Sequence, residues 1–414
     1  MIRPSIGGLR RRLQQREHVR ALRTLPDGAW HASAGLHRAS TAIVRSASHR
    51  APAASVRLLL PSGSRGAVFA GVRTAVEIAA RLALRTGLPL RVLTFDEGPN
   101  RADRAALAAL LVEELGAAAP VETASVWTST SGAHDRDVWL ATYWTTAHAL
   151  DVAADGGFID RSRVVYLIQD HEPSFFPASA EAATASATYR AGFRLLVNSS
   201  PLQRFLSTYE HVVVPDESVF RPALDVDRLE AAAVARGARP TSLTARIGFY
   251  GRPGKPRNAF GLGVAALRVA AHELEARGLS ASFVSMGESH APAQLSTATT
   301  LQPLGRLEWG RYFDELAATD VLLSLQMSPH PSHPPLDMVA SGGIAVTNDV
   351  AGSRQGLHDR LVAVDADPSS LGRAVADAAE RAHAGVPGTW SPHFVDALGH
   401  PLRSAVDRLA GTLA

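Results

Sequence analysis

A basic loop, residues 250–263 ("YGRPGKPRNAFGLG"), contains the residue types and spacing that most strongly indicate chemistry. Arg252, Lys255 and Arg257 lie within six residues of one another, beside glycines that allow tight turns. Because cations and free N–H groups at the start of a helix attract anions, the loop predicts a diphosphate site, with Asn258 as the helix N-cap. The alternative is a basic loop that contacts only solvent. The G-x-x-x-x-G-K-[ST] spacing of a P-loop is missing.

A proline-rich loop, residues 328–343 ("SPHPSHPPLDMVASGG"), leads into another predicted helix and delivers one acid, Asp337. Its four prolines restrict the backbone and suit the entry to a helix. We expect Asp337 in the first helical turn, where its carboxylate accepts hydrogen bonds from sugar hydroxyls. Ser332 and the N–H groups beside it are expected to reach phosphate. Alternatively, the acid only complements the helix dipole.

Two further stretches in the first half of the chain could contact substrate. Residues 166–177 ("YLIQDHEPSFFP") end a predicted strand with Asp170, His171 and Glu172, a cluster that could supply a general base or hold an acceptor hydroxyl. A helix cap or a surface ion pair explains the same cluster without chemistry. Residues 62–75 ("SGSRGAVFAGVRTA") resemble a glycine-bearing turn before a helix, which is a weaker indication of an anion or sugar contact.

Metal and cofactor chemistry is not predicted. The sixteen histidines show no H-E-x-x-H spacing, and there is no G-x-S-x-G motif of a hydrolase. Zero cysteines exclude disulfides, thiol catalysis and thiolate metal sites. The D-x-D pairs are as frequent as chance allows among 39 acids, and they are Asp135/Asp137, Asp225/Asp227 and Asp365/Asp367.

The elements that must position these loops follow an α/β pattern. Short apolar runs such as "VRLLLP" (56–61) and "RIGFYG" (246–251) alternate with longer helical stretches, which is typical of parallel sheets covered by helices on both faces. The pattern breaks near residues 215–245 and then restarts. The predicted division has five parts, namely a basic leader (1–54), a first Rossmann-like domain (55–222), a linker (223–245), a second Rossmann-like domain (246–390) and a C-terminal helix (391–414).

The length and composition describe a globular protein, and its first 50 residues are strongly basic. The 414 residues contain no run of roughly 18 apolar residues that could cross a membrane, and the composition favours a cytoplasmic protein. Residues 1–50 carry ten arginines and two acids, a charge of +8 that leaves −5 for the rest of the chain. The leader could contact anionic lipid, form a solvated helix or be a transit peptide. Nucleic-acid binding is not predicted, because no basic stripe with interleaved aromatics follows.

These stretches together resemble GT-B glycosyltransferases, in particular the retaining family typified by sucrose and glycogen synthases. Among these, the sequence is most similar to the WsaF-type bacterial rhamnosyltransferases. The resemblance spans about residues 55–385. It is carried by these segments: "DVWLATYWTTAHAL" (137–150), "YLIQDHEPSFFP" (166–177), "RLLVNSSPLQRFL" (194–206), "FYGRPGKPRNAFGLG" (249–263), "LGRLEWGRYFDELAATDVLLSLQMSPHPSHPPLDMVASGG" (304–343) and "AVTN" (345–348).

The resemblance implies two doubly wound Rossmann-like domains facing across a cleft, the first for the acceptor and the second for a nucleotide sugar. It also implies roles for single residues. In the second domain, Arg252, Arg257 and Lys255 would bind the donor diphosphate, Asp337 the ribose or deoxyribose, and Gly305 and Leu307 ("LGRL", 304–307) would lie against the base. In the first domain, Asp170 and His171 would face the acceptor and Gly71 would lie near the donor phosphates. Two acids eight positions apart touch the donor in the broader family. Asp337 matches the second, whereas the first position holds Pro329, so that acid's role is not carried over.

The function implied by the resemblance is metal-independent transfer of L-rhamnose from dTDP-L-rhamnose to a cell-envelope polysaccharide or glycolipid. The basic leader would then bring the enzyme to the inner face of the membrane. Three alternatives stay open, namely a transferase that uses a UDP- or GDP-sugar, a GT-B epimerase and a non-catalytic nucleotide-sugar-binding protein.

Overall fold

The computed structural model describes residues 31–63, 70–95, 101–115, 122–240, 242–385 and 388–413. They form two compact units. The first unit comprises residues up to 197 with 206–220 and 400–414, and the second comprises 198–205 and 221–399. Residues 1–30 of the predicted leader and 64–69 of the glycine-bearing turn lie outside the described residues.

The first unit is built on a seven-stranded sheet in the order β3-β2-β1-β4-β5-β6-β7. Its elements are α1 (His31–Ala47), β1 (Val56–Leu60), α2 (Ala70–Thr86), β2 (Leu90–Thr94), α3 (Arg101–Leu115), β3 (Glu122–Ser125), β4 (Val138–Ala141), α4 (Trp144–Asp155), β5 (Val164–Ile168), α5 (Ala180–Thr188), β6 (Arg194–Asn198), α6 (Ser200–Tyr209, whose first half falls in the second unit) and β7 (Val219–Phe220). The pairs from β3 to β6 are parallel. Every residue of β1, β4 and β5 is buried, as expected for strands covered on both faces.

A buried ion pair lies inside this unit. Arg57, in β1, places its Nε 2.8 Å from Asp137 Oδ2, and neither side chain is exposed. The backbone N–H groups of Ser55 and His134 donate to the same carboxylate at 2.7 Å each, and the guanidinium lies over the Trp139 ring. Asp137 is one acid of the D-x-D pair Asp135/Asp137. Its carboxylate is bound by Arg57 and by two backbone N–H groups, so its role is to stabilise the fold.

The described end of the predicted leader is part of the first unit. Helix α1 packs on α4 and buries Ile43 and Val44. Arg45 donates to the Trp127 carbonyl, and the Arg38 guanidinium lies over the Trp127 ring. These two arginines therefore bind protein groups, and the structural unit begins earlier than the sequence boundary at residue 55.

The second unit is built on a sheet in the order β10-β11-β9-β8-β12-β13-β14. Among the described strands, β10 runs antiparallel to β11 and the other neighbours are parallel. Its elements are α7 (Val226–Gly237), β8 (Thr244–Gly251), α8 (Phe260–Ala276), β9 (Ser280–Gly287), β10 (Ala293–Gln294), β11 (Thr300–Gly305), α9 (Trp309–Ala318), β12 (Val321–Leu323), α10 (His333–Ala340), β13 (Ile344–Asn348), β14 (Leu361–Val364) and α11 (Pro368–His383). The predicted pair of doubly wound Rossmann-like domains is confirmed. In each sheet the strand order reverses beside the first strand, between β1 and β4 or between β8 and β12.

Helix α7 lies in the segment that the sequence analysis treats as a linker, and it packs on α9 and α10. Arg236 ties these helices together, because its guanidinium donates to the carbonyls of Leu316, Thr319 and Ser341. Burial lowers the pKa of Arg236 to about 10. These bonds satisfy carbonyls at the C-terminal ends of α9 and α10, where helical N–H donors run out.

The last helix, α12 (Leu402–Gly411), returns to the first unit and packs on α2. Arg81 makes a two-pronged contact with the carboxylate of Asp407, at 2.6 Å for each bond. Residues 391–399 stay with the second unit, so the predicted C-terminal segment is divided between the two. Among the described helices, none combines the length and the apolar character required to span a bilayer.

Candidate functional site

The two loops that the sequence singles out in the second half begin at neighbouring strands. β8 ends at Gly251 and β12 ends at Leu323, and these two strands flank the point where the strand order reverses. Doubly wound sheets bind ligands outside the carboxyl ends of the strands at this point. Two hydrogen bonds join the loops, from Met327 N–H to the Arg257 carbonyl (2.7 Å) and from Asn258 Nδ2 to the Leu325 carbonyl (3.0 Å).

The basic loop differs from the prediction at its end. Residues Pro256–Asn258 form a 3-10 turn, and α8 begins at Phe260 after Ala259, whose φ of 47° is left-handed. The prediction that Asn258 caps this helix is wrong. Its side chain is buried and points to Leu325, because the turn carries it towards the neighbouring loop.

The cations of the basic loop differ in their surroundings. Arg252 is partly buried and its Nε lies 3.5 Å from Glu288 Oε1. Glu288 also accepts a 2.7 Å hydrogen bond from Gly254 N–H through Oε2. Lys255 is exposed, whereas Arg257 is partly buried. Glu288 therefore anchors both the loop backbone and Arg252, and it is a residue that the sequence analysis missed.

A buried arginine organises the proline-rich loop. Arg354 follows β13, is completely buried, and donates through Nη2 to the carbonyls of Ser328 (2.6 Å), His330 (2.7 Å) and Gln326 (3.1 Å). Its Nη1 donates to the Asn348 carbonyl at 2.9 Å. The loop is wrapped around this guanidinium, which fixes its backbone before α10 begins.

Asp337 lies in the second turn of α10, not in the first as predicted, because the helix already begins at His333. The side chain is buried, and Oδ2 accepts a 3.0 Å hydrogen bond from the Tyr312 hydroxyl. Burial raises the pKa of Asp337 to about 7; the bond from Tyr312 opposes this rise and the charge of Asp225 adds to it. Ser332 is the N-cap residue, with φ of 68° and no side-chain capping bond.

Two tyrosines lie with these groups and were missed by the sequence analysis. Burial raises the pKa of Tyr250, an effect that the Arg252 charge opposes and the Asp337 charge reinforces. Burial and the Asp337 charge also raise the pKa of Tyr312. Tyr250 stands two residues before Arg252 at the end of a predicted strand, and this position is the signal that could have found it.

The predicted base-contacting turn lies at the end of β11. Gly305 has a φ of 71°, a left-handed conformation that favours glycine, and an added Cβ would lie 3.0 Å from Ser289 Oγ. Leu307 is partly buried and, like Tyr312, packs against the apolar cluster that contains Met338. The turn is thus connected to the Asp337 side of the site.

In the first unit, the structure brings together two stretches that are far apart in sequence. Gln169, which follows β5, donates from Nε2 to the Gly71 carbonyl at 3.0 Å. Gly71 lies in the first turn of α2. Asp170 is partly buried, and its Oδ1 accepts the His171 N–H at 2.8 Å. Gln169 therefore holds Gly71 near the carboxyl end of β5, and the predicted roles of Gly71 and Asp170 stay predictions.

His171 lies in a hydrogen-bond network of the first unit. Its Nδ1 lies 2.6 Å from Ser174 Oγ, and its Nε2 lies 2.9 Å from Glu210 Oε1. Although burial raises the pKa of Glu210, hydrogen bonds from His171, Ser186 and Arg190 lower it to about 2. The network orients His171, whose contact with an acceptor stays a prediction.

Glu172, the third member of that cluster, is a buried helix-capping acid. Its Oε2 accepts hydrogen bonds from the Trp144 N–H at the start of α4 and from the Tyr166 hydroxyl. Burial raises the pKa of Glu172 to about 8, although these two bonds oppose the rise.

In the part of the chain that the structure describes, no group of three or more histidines and acids is arranged to hold a metal.

Two segments of the chain match the domains of a known protein family. Residues 55–197 match the N-terminal domain of WsaF, and residues 245–376 match its C-terminal domain. The chain belongs to the WsaF family. A relative, the O-antigen biosynthesis protein RfbC of Myxococcus xanthus, is 30% identical over 293 residues, which are 69% of this chain and 21% of RfbC. This WsaF-family chain thus spans about a fifth of the length of that curated relative.

Solved structures share the fold of this WsaF-family chain. HepE (Alr3699) of Anabaena in complex with UDP has a TM-score of 0.54 at 16% identity, covering 87% of this chain and 99% of HepE. The apo structure of OtsA has a TM-score of 0.51 at 11% identity, covering 87% of this chain and 98% of OtsA. The GT-B fold expected from the sequence is confirmed.

Proposed function

We propose that this WsaF-family chain is a glycosyltransferase that moves L-rhamnose from dTDP-L-rhamnose to a cell-envelope polysaccharide or glycolipid. Family membership and the similarity to a protein named for O-antigen biosynthesis support a role in polysaccharide assembly. HepE, which shares the fold, is described in complex with UDP and with UDP and glucose, which supports a nucleotide-sugar donor.

One observation carries the proposal: the loop that bears Arg252 and Arg257 and the loop that leads to the buried Asp337 follow neighbouring strands and are hydrogen-bonded to each other. The charges of Arg252, Arg257 and Asp337 all act on Tyr250, the second-last residue of β8, beside the reversal of strand order. Arginine forks match the oxygens of a diphosphate, whereas a carboxylate accepts hydrogen bonds from furanose hydroxyls and repels phosphate. The arrangement therefore suits a molecule with phosphates at one end and a hydroxylated ring at the other.

The proposed chemistry is electrostatic. When the glycosidic bond breaks, negative charge develops on the departing diphosphate, and the guanidinium groups of Arg252 and Arg257 stabilise it. Arg252 contacts Glu288 through Nε, so its Nη groups can donate to phosphate. Lys255 adds a positive charge at the surface. Asp170 and His171 are proposed to face the acceptor, Gly71 to lie near the phosphates, and Gly305 and Leu307 to contact the base.

The test of this function is release of nucleoside diphosphate that depends on acceptor. dTDP-L-rhamnose should be consumed in the presence of a polysaccharide or lipid-linked acceptor, and dTDP should accumulate in equal amount. A thermal-shift series with dTDP, UDP and GDP identifies the base, because a ligand at 100 times its dissociation constant stabilises a protein by about 2.7 kcal/mol. Stabilisation by none of the three would reject the proposal.

A second candidate function is nucleotide-sugar binding without transfer. Pro329 favours it, because it occupies the position where the first of two donor-contacting acids is expected by resemblance. A binding protein would be stabilised by dTDP yet would release none from dTDP-L-rhamnose with any acceptor. The two assays together therefore separate the candidates.

Peripheral contact with a membrane is proposed through the basic residues of the leader. Arg38 and Arg45 contact Trp127, so the contact would use the arginines that precede residue 31. Each basic residue near an anionic surface contributes about 1 kcal/mol. Sedimentation with vesicles of anionic and of neutral lipid, in low and high salt, would test this contact.

A further inference from the structure

His330 lies in the proline-rich loop and is held at two points. Its carbonyl accepts a 2.7 Å hydrogen bond from Arg354, and its ring Nδ1 accepts a 3.0 Å hydrogen bond from the Ser332 N–H. The residue is only 6% exposed. The position and the orientation of the imidazole are therefore fixed by the loop itself.

These contacts also fix where the ring carries its proton. Burial lowers the pKa of His330, and the nearby His333, Arg354 and Arg257 lower it further, so the ring is neutral. Because Nδ1 accepts a hydrogen bond, the single proton of the neutral ring must be on Nε2. His330 thus presents a buried N–H donor in a defined direction.

This donor has no hydrogen-bond partner among the described residues, although Nε2 is buried. Most buried polar groups in folded proteins are paired, and an unpaired buried donor is costly. The Nδ1 side is used by the loop itself, whereas the Nε2 side is not. The arrangement is that of a group built to meet an acceptor that the chain does not supply.

The surroundings of His330 favour an anionic acceptor. Arg257 and Arg354 place positive charge beside the ring. The N-terminus of α10 begins three residues later, but Pro334 and Pro335 in its first turn carry no N–H. A phosphate at this helix start would therefore lack donors that a helix usually offers, and the unpaired imidazole N–H three residues earlier could supply one.

We propose that His330 is a further donor-binding residue, whose Nε2–H donates a hydrogen bond to a phosphate oxygen of the nucleoside diphosphate. The inference rests on the proposed function, since it takes a nucleotide sugar as the ligand. In addition to the cations, the site would then contain a neutral hydrogen-bond donor. Such a donor orients the phosphate through the geometry of the hydrogen bond and adds no charge.

Two substitutions separate this role from a structural one. His330→Asn keeps an acceptor at the position of Nδ1 for the Ser332 N–H, but it has no donor at the position of Nε2. His330→Gln places an N–H near the Nε2 position and loses the acceptor for Ser332. His272→Asn, an exposed histidine on α8, is the matched control. Calorimetric titration of each variant and of the native protein with dTDP gives the dissociation constants.

The proposal predicts that His330→Asn weakens dTDP binding about ten- to hundredfold, as expected for a hydrogen bond to a charged group. His330→Gln should bind several-fold more tightly than His330→Asn, and His272→Asn should bind like the native protein. If His330→Gln bound dTDP more weakly than His330→Asn, the proposal would be overturned. That result would show that dTDP affinity depends on the bond between Nδ1 and the Ser332 N–H. Unchanged affinity of His330→Asn would overturn the proposal too.

A second ligand separates phosphate from sugar. If dTDP-L-rhamnose binding is weakened in His330→Asn while dTDP binding is not, the N–H meets a sugar hydroxyl and the phosphate assignment is wrong. If the native protein binds dTDP and the His330 variants match it, this inference fails and the proposed function stands. If the native protein binds neither dTDP nor its sugar, the proposed function fails and this inference with it.

Discussion

The Tyr312 hydroxyl donates a 3.0 Å hydrogen bond to Asp337 Oδ2, and this bond connects α9 to α10 inside the candidate site. Trp309 stacks on the tyrosine, with its ring 6.2 Å from that of Tyr312. The bond fixes the rotamer of a buried carboxyl group and uses only one of its oxygens. Oδ1 can therefore accept a hydrogen bond from a furanose hydroxyl.

Replacing Tyr312 by Phe should weaken the contacts with the nucleoside of dTDP and leave those with its phosphates unchanged. Without the hydroxyl, Asp337 is no longer held in one orientation for the furanose, so the dissociation constant of dTDP should rise about tenfold. Inhibition by inorganic pyrophosphate should stay within about twofold, because Asp337 does not bind phosphate. The control is Tyr209→Phe, at an exposed ring of the first unit. Equal effects on dTDP and pyrophosphate would contradict the assignment of Asp337 to the nucleoside.

Asp337 should lower the stability of the protein as the pH rises from about 4 to 7. Burial raises its pKa to about 7 in the folded state, from an ordinary value of 3.8. Between these values the unfolded chain releases the proton that the folded protein keeps, so the free energy of unfolding falls by up to about 1.4 kcal/mol per pH unit. Below and above this window both states carry the same charge and the contribution is constant.

The measurement is denaturant unfolding of the native protein and of Asp337→Asn at several pH values. Because the other titrating groups are common to both proteins, the difference in unfolding free energy isolates Asp337. The native protein should lose stability relative to Asp337→Asn as the pH rises through this window. Parallel curves would show that the carboxyl group is already ionised in the folded protein.

Arg252→Ala and Arg257→Ala should each lower kcat by about a hundredfold or more, the usual cost of removing one group that stabilises transition-state charge. Folding should be unaffected, since both side chains are only partly buried. Arg268→Ala, on α8, is the matched control. Normal turnover of the first two variants would refute the assignment of these arginines to the diphosphate.

Asp137→Asn should destabilise the first unit by about 3–5 kcal/mol, because it leaves the buried Arg57 guanidinium without its counter-charge. Asp135→Asn is the control, since Asp135 belongs to an exposed pair with Arg50 at 3.8 Å, and such pairs contribute less than about 1 kcal/mol. Thermal unfolding of both variants and of the native protein measures the two losses of stability. Similar losses in the two would mean that the buried pair is not important for stability.

Strands with a strong apolar pattern could be predicted from the sequence. The strand expected at residues 246–251 is observed at Thr244–Gly251, and the one expected at 343–348 is observed at Ile344–Asn348. The sequence does not predict β3 or β11. β3 is short and rich in polar residues, and β11 contains Pro303, so their pairing depends on neighbouring strands and not on a pattern of their own.

The site could be predicted in part, because parallel strands bring their carboxyl ends to one edge. From the sequence alone, this rule predicts that the loops of Arg252 and Asp337 lie together. It does not find Arg354, which binds the proline-rich loop only through backbone carbonyls and leaves no mark in the pattern of side chains. Nor does it find Tyr312, which resembles an ordinary buried aromatic residue of a helix.

The most direct test of the central claim is a crystal structure of this protein with dTDP. We predict that both phosphates lie within hydrogen-bond distance, about 3 Å, of guanidinium nitrogens of Arg252 and Arg257, and that a furanose hydroxyl donates to Asp337. A nucleotide bound elsewhere, or bound here with both arginines directed to solvent, would contradict the claim.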